Sequence, residues 1–168
     1  MSIRLRPFEE NDEAAAVAAH RELEGVFTFL LFWNPELSWT RYLQQLENDR
    51  RGVDLGGGRV QSTLLAADLD GAVVGRVSIR FEMNDFLSWR GGHIGYAVRA
   101  DYRRRGFATQ ILSQALLIAR ANGVERVLVT CDDDNIGSSS VIERCGGVLE
   151  QVVPADADDV AFRRYWID

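Results

Sequence analysis

HIGYAVRADYRRRGFATQILSQALLIARAN, residues 93–122, carries more information about the fold than any other stretch of this chain. Residues 93–99 are predicted to form a strand. A loop follows and leads into a long helix, in which Ile111, Ala115, Ile118 and Ala119 share one face and Asn122-Gly123 marks the end. The sequence therefore predicts a strand, a loop and an amphipathic helix in direct succession.

The loop contains the run RRRGFAT at residues 103–109. Gly106 and Ala108 let a ligand approach the backbone closely, and the free N–H groups and dipole of the following helix favour an anion. The three arginines add positive charge and forked donors that suit phosphate oxygens. Composition alone is explained equally well by a solvated run of charges before a helix. The segment is therefore a candidate phosphate site.

Strand and helix signals alternate on both sides of this unit. The predicted elements are a strand at 2–8, helices at about 11–23 and 39–50, a hairpin around Asp70-Gly71, a buried strand at 125–131, a short helix ended by Gly146-Gly147 and two final strands. The resulting order, β-α-α-β-β-β-α-β-α-β-β, predicts a mixed α/β fold with one mixed sheet and helices on both faces.

Composition excludes several classes of protein. The 168 residues, 46% of them hydrophobic, suit one compact domain, and the net charge of −6 argues against nucleic acid as the main partner. The chain contains no lysine, which excludes a Schiff-base lysine and a P-loop lysine. No apolar run is long enough to span a membrane, and the N-terminus lacks a signal-peptide pattern, so we expect a cytoplasmic protein. With two histidines and two cysteines, which we expect to be reduced thiols, no metal site is expected.

The order of residues in the loop distinguishes the two interpretations of its charge. RRRGFA matches the (Gln/Arg)-x-x-Gly-x-(Gly/Ala) loop of the GNAT superfamily of acyl-CoA-dependent N-acyltransferases, with Arg103, Gly106 and Ala108 at the defining positions. Further on, Asn135-x-x-Ser138 is similar to the second CoA-contacting segment of that fold. The resemblance follows the element order of the whole chain, and the most specific part resembles a bacterial branch of predicted acetyltransferases.

This resemblance implies a fold and a co-substrate. The chain would be a single N-acetyltransferase domain over residues 1–168, with a mostly antiparallel sheet that is splayed at the fourth strand, and acetyl-CoA would be the acyl donor. The backbone of Val98 and Arg99 would bond the pantetheine, and Asn135 and Ser138 would reach the pantetheine or the adenine. Asn135 alone is equally well explained as a helix cap. The pyrophosphate would be held at Arg103, Arg104, Arg105, Gly106, Phe107, Ala108 and Thr109.

Acyl transfer to an amine also needs a base and a proton for the departing thiolate. His93 is the candidate base, because its ordinary pKa is near 6.5, although an imidazole bonded to a neighbouring loop is an equally good interpretation. Many members of the family use a tyrosine as the acid where this chain has Ile142. Ser138, Ser139, Tyr96 or bound water could replace it, or the thiolate could leave unassisted.

Other residue groups carry weaker signals. His20 is interpreted as a surface or packing histidine, and Cys131 and Cys145 as inert thiols rather than nucleophiles. An N-terminal aromatic cluster is expected to form both core and acceptor pocket: Phe27, Phe29, Phe32, Trp33, Trp39 and Tyr42. The acidic turn at 156–159 could attract a cationic amine, although a solvated hairpin tip is favoured.

The leading hypothesis is an acetyl-CoA-dependent N-acetyltransferase, a monomer or homodimer acting on a small-molecule or peptide amine. One alternative is a regulatory module that binds CoA without turnover, suggested by the missing tyrosine. Another is an adenine-nucleotide-binding protein that uses the same anion site, which ranks last because the chain lacks a Walker lysine.

Overall fold

The computed structural model describes residues 1–168 as seven strands and four helices. The strands are β1 (Arg4–Pro7), β2 (Ser62–Leu69), β3 (Ala72–Arg80), β4 (Ile94–Val98), β5 (Val127–Asp132), β6 (Val148–Val153) and β7 (Phe162–Ile167). The helices are α1 (Glu13–Glu22), α2 (Trp39–Arg51), α3 (Phe107–Ala121) and α4 (Ile136–Arg144). None of the helices has the length and apolar character that crossing a membrane requires.

The strands form two antiparallel sheets. The first has the order β1-β2-β3-β4, and the second has the order β5-β7-β6. Asp70 and Gly71, both at positive φ, make the tight turn between β2 and β3, which confirms the hairpin predicted from this residue pair. The predicted mixed α/β fold with a splay at the fourth strand is confirmed. The single mixed sheet is corrected to two sheets, because β4 and β5 do not pair.

Helices cover both faces of the first sheet. One core cluster contains side chains of α3 together with β3, β4 and β5, including Ile111, Val77 and Val129. A second cluster lies on the opposite face, where α1 and α2 pack through residues such as Ala16 and Tyr42. The backbone edge of β4 that faces away from β3 lies between these two layers.

The backbones of the two sheets are joined at His93, in the segment before β4. The backbone N–H of His93 donates to Leu128 O at 2.8 Å, and the N–H of Leu128 donates to His93 Nδ1 at 2.9 Å. Gly92 precedes this joint at φ +66°, and a Cβ there would lie 2.7 Å from Leu128 O. A side chain at position 92 would therefore push the sheets apart, and beyond this joint β4 and β5 separate.

Candidate functional site

The loop before α3 presents a row of free backbone donors. Arg104 and Gly106 have left-handed backbone conformations, at φ +62° and +80°, and they turn the chain into the helix. No backbone N–H from Arg104 to Thr109 donates a hydrogen bond within the chain. A Cβ added to Gly106 would meet no atom within 4 Å, so the turn is open to a ligand. These are the features of an anion site at a helix N-terminus.

The three arginines of this loop are exposed and do not share one role. Arg103 Nε donates to Val98 O at 3.0 Å, which ties the loop back to β4. The Arg105 guanidinium lies 5.7 Å from the ring centroid of Tyr102. None of the three forms an ion pair with a carboxylate of this chain, so their charges are not neutralised at the turn.

The edge of β4 that faces β5 holds unpaired peptide groups. Arg80 N donates to His93 O, and Arg99 N donates to Val74 O at 2.9 Å. In an antiparallel pair such bonds alternate along the strand, so the peptide groups of Tyr96 and Val98 point away from β3. No strand pairs with that edge, and Val98 O is the acceptor for Arg103. The N–H groups of Tyr96 and Val98 and the carbonyl of Tyr96 remain available to a ligand.

Arg99 is corrected as a pantetheine-binding residue. Its N–H bonds to Val74 O, and its carbonyl accepts the N–H of Tyr102 at 3.0 Å. Its side chain pairs with Glu22, Nε to Oε2 at 3.1 Å. Both backbone polar groups of Arg99 are therefore occupied within the chain, and its side chain holds the end of β4 against α1. Of the two residues that the resemblance implied, Val98 keeps a free N–H, and the hydrogen-bond register replaces Arg99 with Tyr96.

Two of the proposed catalytic side chains meet across the gap between β4 and α4. Tyr96 Oη lies 2.9 Å from Ser138 Oγ. Burial raises the pKa of Tyr96 above its ordinary value, so the hydroxyl keeps its proton at neutral pH. Ile142, at the position where the family often has a tyrosine, is fully buried in the core. The structure therefore places the hydroxyl of a tyrosine on β4 in this gap, whereas α4 contributes no tyrosine to it.

Asn135 has a local structural role, and Cys131 holds an unreactive thiol. Asn135 Oδ1 accepts the N–H of Ser138 at 3.0 Å, which makes it the N-cap of α4. That geometry is the helix cap anticipated as the alternative to a cofactor ligand. Burial raises the pKa of the Cys131 thiol to about 11, and a thiol that is protonated at neutral pH is a poor nucleophile.

His93 lies in the joint between the sheets, where it is 8% exposed. Its Nδ1 is occupied by the N–H of Leu128, so the neutral ring carries its proton on Nε2 and has no free lone pair to accept another. Burial, with Arg80 nearby, lowers the pKa of His93. This geometry does not support the predicted role of base and favours a bonded, structural imidazole.

His93→Ala is expected to lower the free energy of unfolding by about 1–3 kcal/mol, because the buried N–H of Leu128 loses its acceptor. His93→Asn keeps an acceptor oxygen and should restore part of that loss. Urea denaturation followed by the fluorescence of the four tryptophans measures both changes; one of them, Trp166, lies 6.5 Å from the imidazole.

The pH dependence of the free energy of unfolding tests the hydrogen bond between Leu128 and His93 in a second way. Because the folded protein lowers the pKa of His93, the unfolded chain binds the proton first as the pH falls. Wild-type stability should therefore decline below about pH 6.5, and His93→Asn should lack this component. Unchanged stability of His93→Ala, together with a large loss of turnover, would restore the role of base.

A cleft of about 620 Å³ opens between β4 and β5, on the side of the sheets that α1 and α2 cover. Ile94 and Gly95 of β4 and Thr130 of β5 line one wall. The opposite wall comes from the segment between α1 and α2, including Phe27 and Leu31. The cleft and the free edge of β4 therefore meet where the sheets separate.

Several charged groups of the cleft were missed by sequence reasoning. Glu24, Arg76, Arg80 and Arg90 all line it, and so does His20. His20 Nδ1 accepts the N–H of Leu30 at 3.0 Å, so its basic nitrogen is also occupied. Glu24 is the only carboxylate in the lining, and it is exposed on the rim.

The predicted acceptor-pocket residues have different locations. Of the aromatic cluster, Phe29, Trp39 and Tyr42 are buried core residues, and Trp33 packs against them. Phe27 lines the cleft, whereas Phe32 is exposed. In the acidic turn, Asp159 pairs with Arg90 at 2.5 Å. The turn therefore reaches the cleft through an ion pair.

Comparisons with known proteins agree with this fold. A family model described as an acetyltransferase (GNAT) domain matches residues 2–148. No curated protein sequence matches the chain significantly. Solved structures with a similar fold cover nearly the whole chain. Their sequence identities to this chain are low, so the similarity shows a shared fold only.

Three of these structures illustrate the similarity. An N-acetyltransferase from Staphylococcus aureus Mu50 has a TM-score of 0.69 at 16% identity, covering 100% of this chain and 99% of that one. The yncA protein from Salmonella typhimurium, solved with its cofactor acetyl-CoA, has a TM-score of 0.66 at 15% identity, covering 100% and 94%. RimJ from Mycobacterium smegmatis, in complex with CoA-disulfide, has a TM-score of 0.71 at 18% identity, covering 98% and 81%.

Proposed function

The chain belongs to the GNAT acetyltransferase family, and on that premise we propose that it transfers an acetyl group from acetyl-CoA to a primary amine bound in the cleft. The observation that carries this proposal is the continuity of three features: the free N–H groups before α3, the unpaired edge of β4 and the cleft. An elongated thioester and a separate acceptor could reach the gap between β4 and β5 from opposite sides of the sheets.

The residues of this chain fit such a donor. The backbone N–H groups from Arg104 to Thr109, with the uncompensated arginines beside them, would hold the pyrophosphate. The peptide groups of Tyr96 and Val98 would bond the amides of the pantetheine, which completes the unpaired edge of the strand. When bound, acetyl-CoA supplies a thioester whose carbonyl carbon forms a C–N bond with the amine as the C–S bond breaks.

The proton balance of this reaction requires a base and an acid. The amine loses two protons in all, one from its ammonium form and one on bond formation, and the thiolate gains one. Glu24 is the carboxylate in the cleft that can accept a proton, directly or through water. Tyr96 Oη holds a proton that it can donate, and Ser138 Oγ orients that hydroxyl.

Glu24→Gln is expected to lower kcat/KM about 10- to 100-fold at neutral pH, because deprotonation of the ammonium then depends on water. The deficit should shrink at alkaline pH, where more of the amine is already neutral. A pH profile of kcat/KM for both proteins measures this, with Glu13→Gln on the exposed start of α1 as the control. Equal profiles for Glu24→Gln and wild type would exclude Glu24 as the base.

Calorimetric titration with acetyl-CoA, CoA and ATP tests the choice of ligand, and a screen of amines for thiol release tests turnover. We expect acetyl-CoA and CoA to bind more tightly than ATP, and thiol release to depend on an amine. Binding of CoA with no turnover for any amine would favour a regulatory module. Preferential binding of ATP would favour a nucleotide-binding protein.

A further inference from the structure

Two arginines lie side by side on the floor of the cleft. Arg76 and Arg80 are on β3, four residues apart, so both side chains project from the face that α1 and α2 cover. A Cβ added to Gly95 would lie 3.3 Å from Arg80 Nη1 and 3.9 Å from Arg76 Nη1. The two guanidinium groups therefore flank one point of β4, where the sheets separate.

Neither guanidinium has a carboxylate partner. Arg76 is 2% exposed, and its donors reach only two carbonyls, Gly95 O at 2.9 Å and Thr28 O at 2.5 Å. Its Nε is buried without any hydrogen-bond partner. Arg80 makes one long bond, from Nη1 to Gly91 O at 3.4 Å. By contrast, Arg90 in the same cleft is neutralised by Asp132 and Asp159.

Both groups keep their charge at neutral pH. Burial lowers the pKa of Arg76 to about 9 and that of Arg80 to about 10. A buried charge without a counter-ion destabilises the folded protein, and such a group in a cleft is typical of a functional site. With Glu24 the only carboxylate in the lining, the cleft has an excess of positive charge that a small anion would neutralise.

We propose that Arg76 and Arg80 bind a carboxylate of the substrate, beside Gly95 on the floor of the cleft. The carboxylate could belong to an acceptor of the amino-acid type or to a dicarboxylic acyl group on CoA. In both cases it would occupy the same pair of guanidinium groups. The link to acyl transfer rests on the proposed function, whereas carboxylate binding itself does not.

The binding test uses the free protein. Calorimetry with succinate and with N-acetylglycine should detect binding, whereas the uncharged N-methylacetamide should not bind. Arg80→Met should weaken binding of these carboxylates at least about tenfold, because it removes a charge-assisted hydrogen bond to the ligand. Arg41→Met removes an exposed arginine of α2 that forms no ion pair, and it should bind like wild type.

Stability separates a ligand-binding role from a structural one. Arg80→Met should be at least as stable as wild type in urea, because it removes a half-buried charge that has no carboxylate partner and only one long hydrogen bond. Arg80→Lys retains a positive charge and should retain part of the carboxylate affinity. Equal carboxylate affinities in wild type and Arg80→Met would overturn the proposal, as would a failure of both carboxylates to bind wild type.

Turnover then identifies which substrate carries the carboxylate. Faster thiol release from acetyl-CoA with glycine or β-alanine than with methylamine or ethylamine would assign it to the acceptor. Faster reaction of succinyl-CoA than of acetyl-CoA with the same neutral amine would assign it to the acyl group. Carboxylate binding without any turnover would support the site and contradict the proposed function, so the two proposals fail separately.

Discussion

Gly106→Glu is expected to weaken acetyl-CoA binding by about 100-fold or more. The new carboxylate would stand beside the free N–H groups from Arg104 to Thr109, where the pyrophosphate is proposed to bind. Losing two charge-assisted hydrogen bonds costs about 3 kcal/mol or more, and each 1.4 kcal/mol is a factor of about ten in affinity. Isothermal titration calorimetry measures the change directly.

The other end of α3 provides a matched control. Gly123 also has a positive φ, +86°, and a Cβ there would likewise meet no atom within 4 Å. Gly123→Glu therefore introduces the same charge and similar backbone strain, of about 1–3 kcal/mol, far from the proposed pyrophosphate site. It should bind acetyl-CoA like wild type. Equal losses of affinity in the two variants would mean that strain, not position, causes the effect.

Tyr96→Phe is expected to lower kcat about 100- to 1,000-fold, which is within the range of general acid catalysis. The ring, which packs against the core, is kept, so the fold and the affinity for acetyl-CoA should change little. Because burial raises the pKa of Tyr96, its loss should not alter the pH profile between about pH 7 and 9. Steady-state kinetics with an identified amine measures these effects.

Ser138→Ala tests the supporting role of the second hydroxyl. It removes the partner that lies 2.9 Å from Tyr96 Oη but leaves the proton donor, so kcat should fall less than in Tyr96→Phe. An unchanged kcat in Tyr96→Phe would mean that the thiolate leaves without assistance from this residue.

The sequence predicts the features that depend on neighbouring residues. The Asp70-Gly71 turn and the loop that leads into α3 are each determined by residues close together in the chain. The same locality makes the phosphate-binding loop recognisable, because its donors belong to one continuous segment. These features include the part of the candidate site that binds an anion.

The other features of the candidate site depend on contacts between segments that are distant in the sequence. The role of His93 is decided by Leu128, and the polar groups of Arg99 are occupied by Val74, Tyr102 and Glu22. No local pattern identifies such partners. The corrections to both residues therefore required the sheet register.

One signal for the cleft was present in the sequence. AVVGRVSIR, residues 72–80, places Arg76, Ser78 and Arg80 on one face of a strand that is central in the sheet. With helices predicted on both faces, that face is buried, and buried arginines without carboxylates nearby are unusual. The alternation marks the floor of the cleft, although it cannot show that the partners are absent.

The central claim is the transfer of an acetyl group to an amine, and the stoichiometry of that reaction tests it most directly. Thiol release and acetylated amine should be quantified in the same reaction, the first with a thiol reagent and the second by mass spectrometry. We expect one amide product for each thiol released, and neither product above background when the amine is omitted. Thiol release without a matching amide, at a rate that no amine changes, would contradict it.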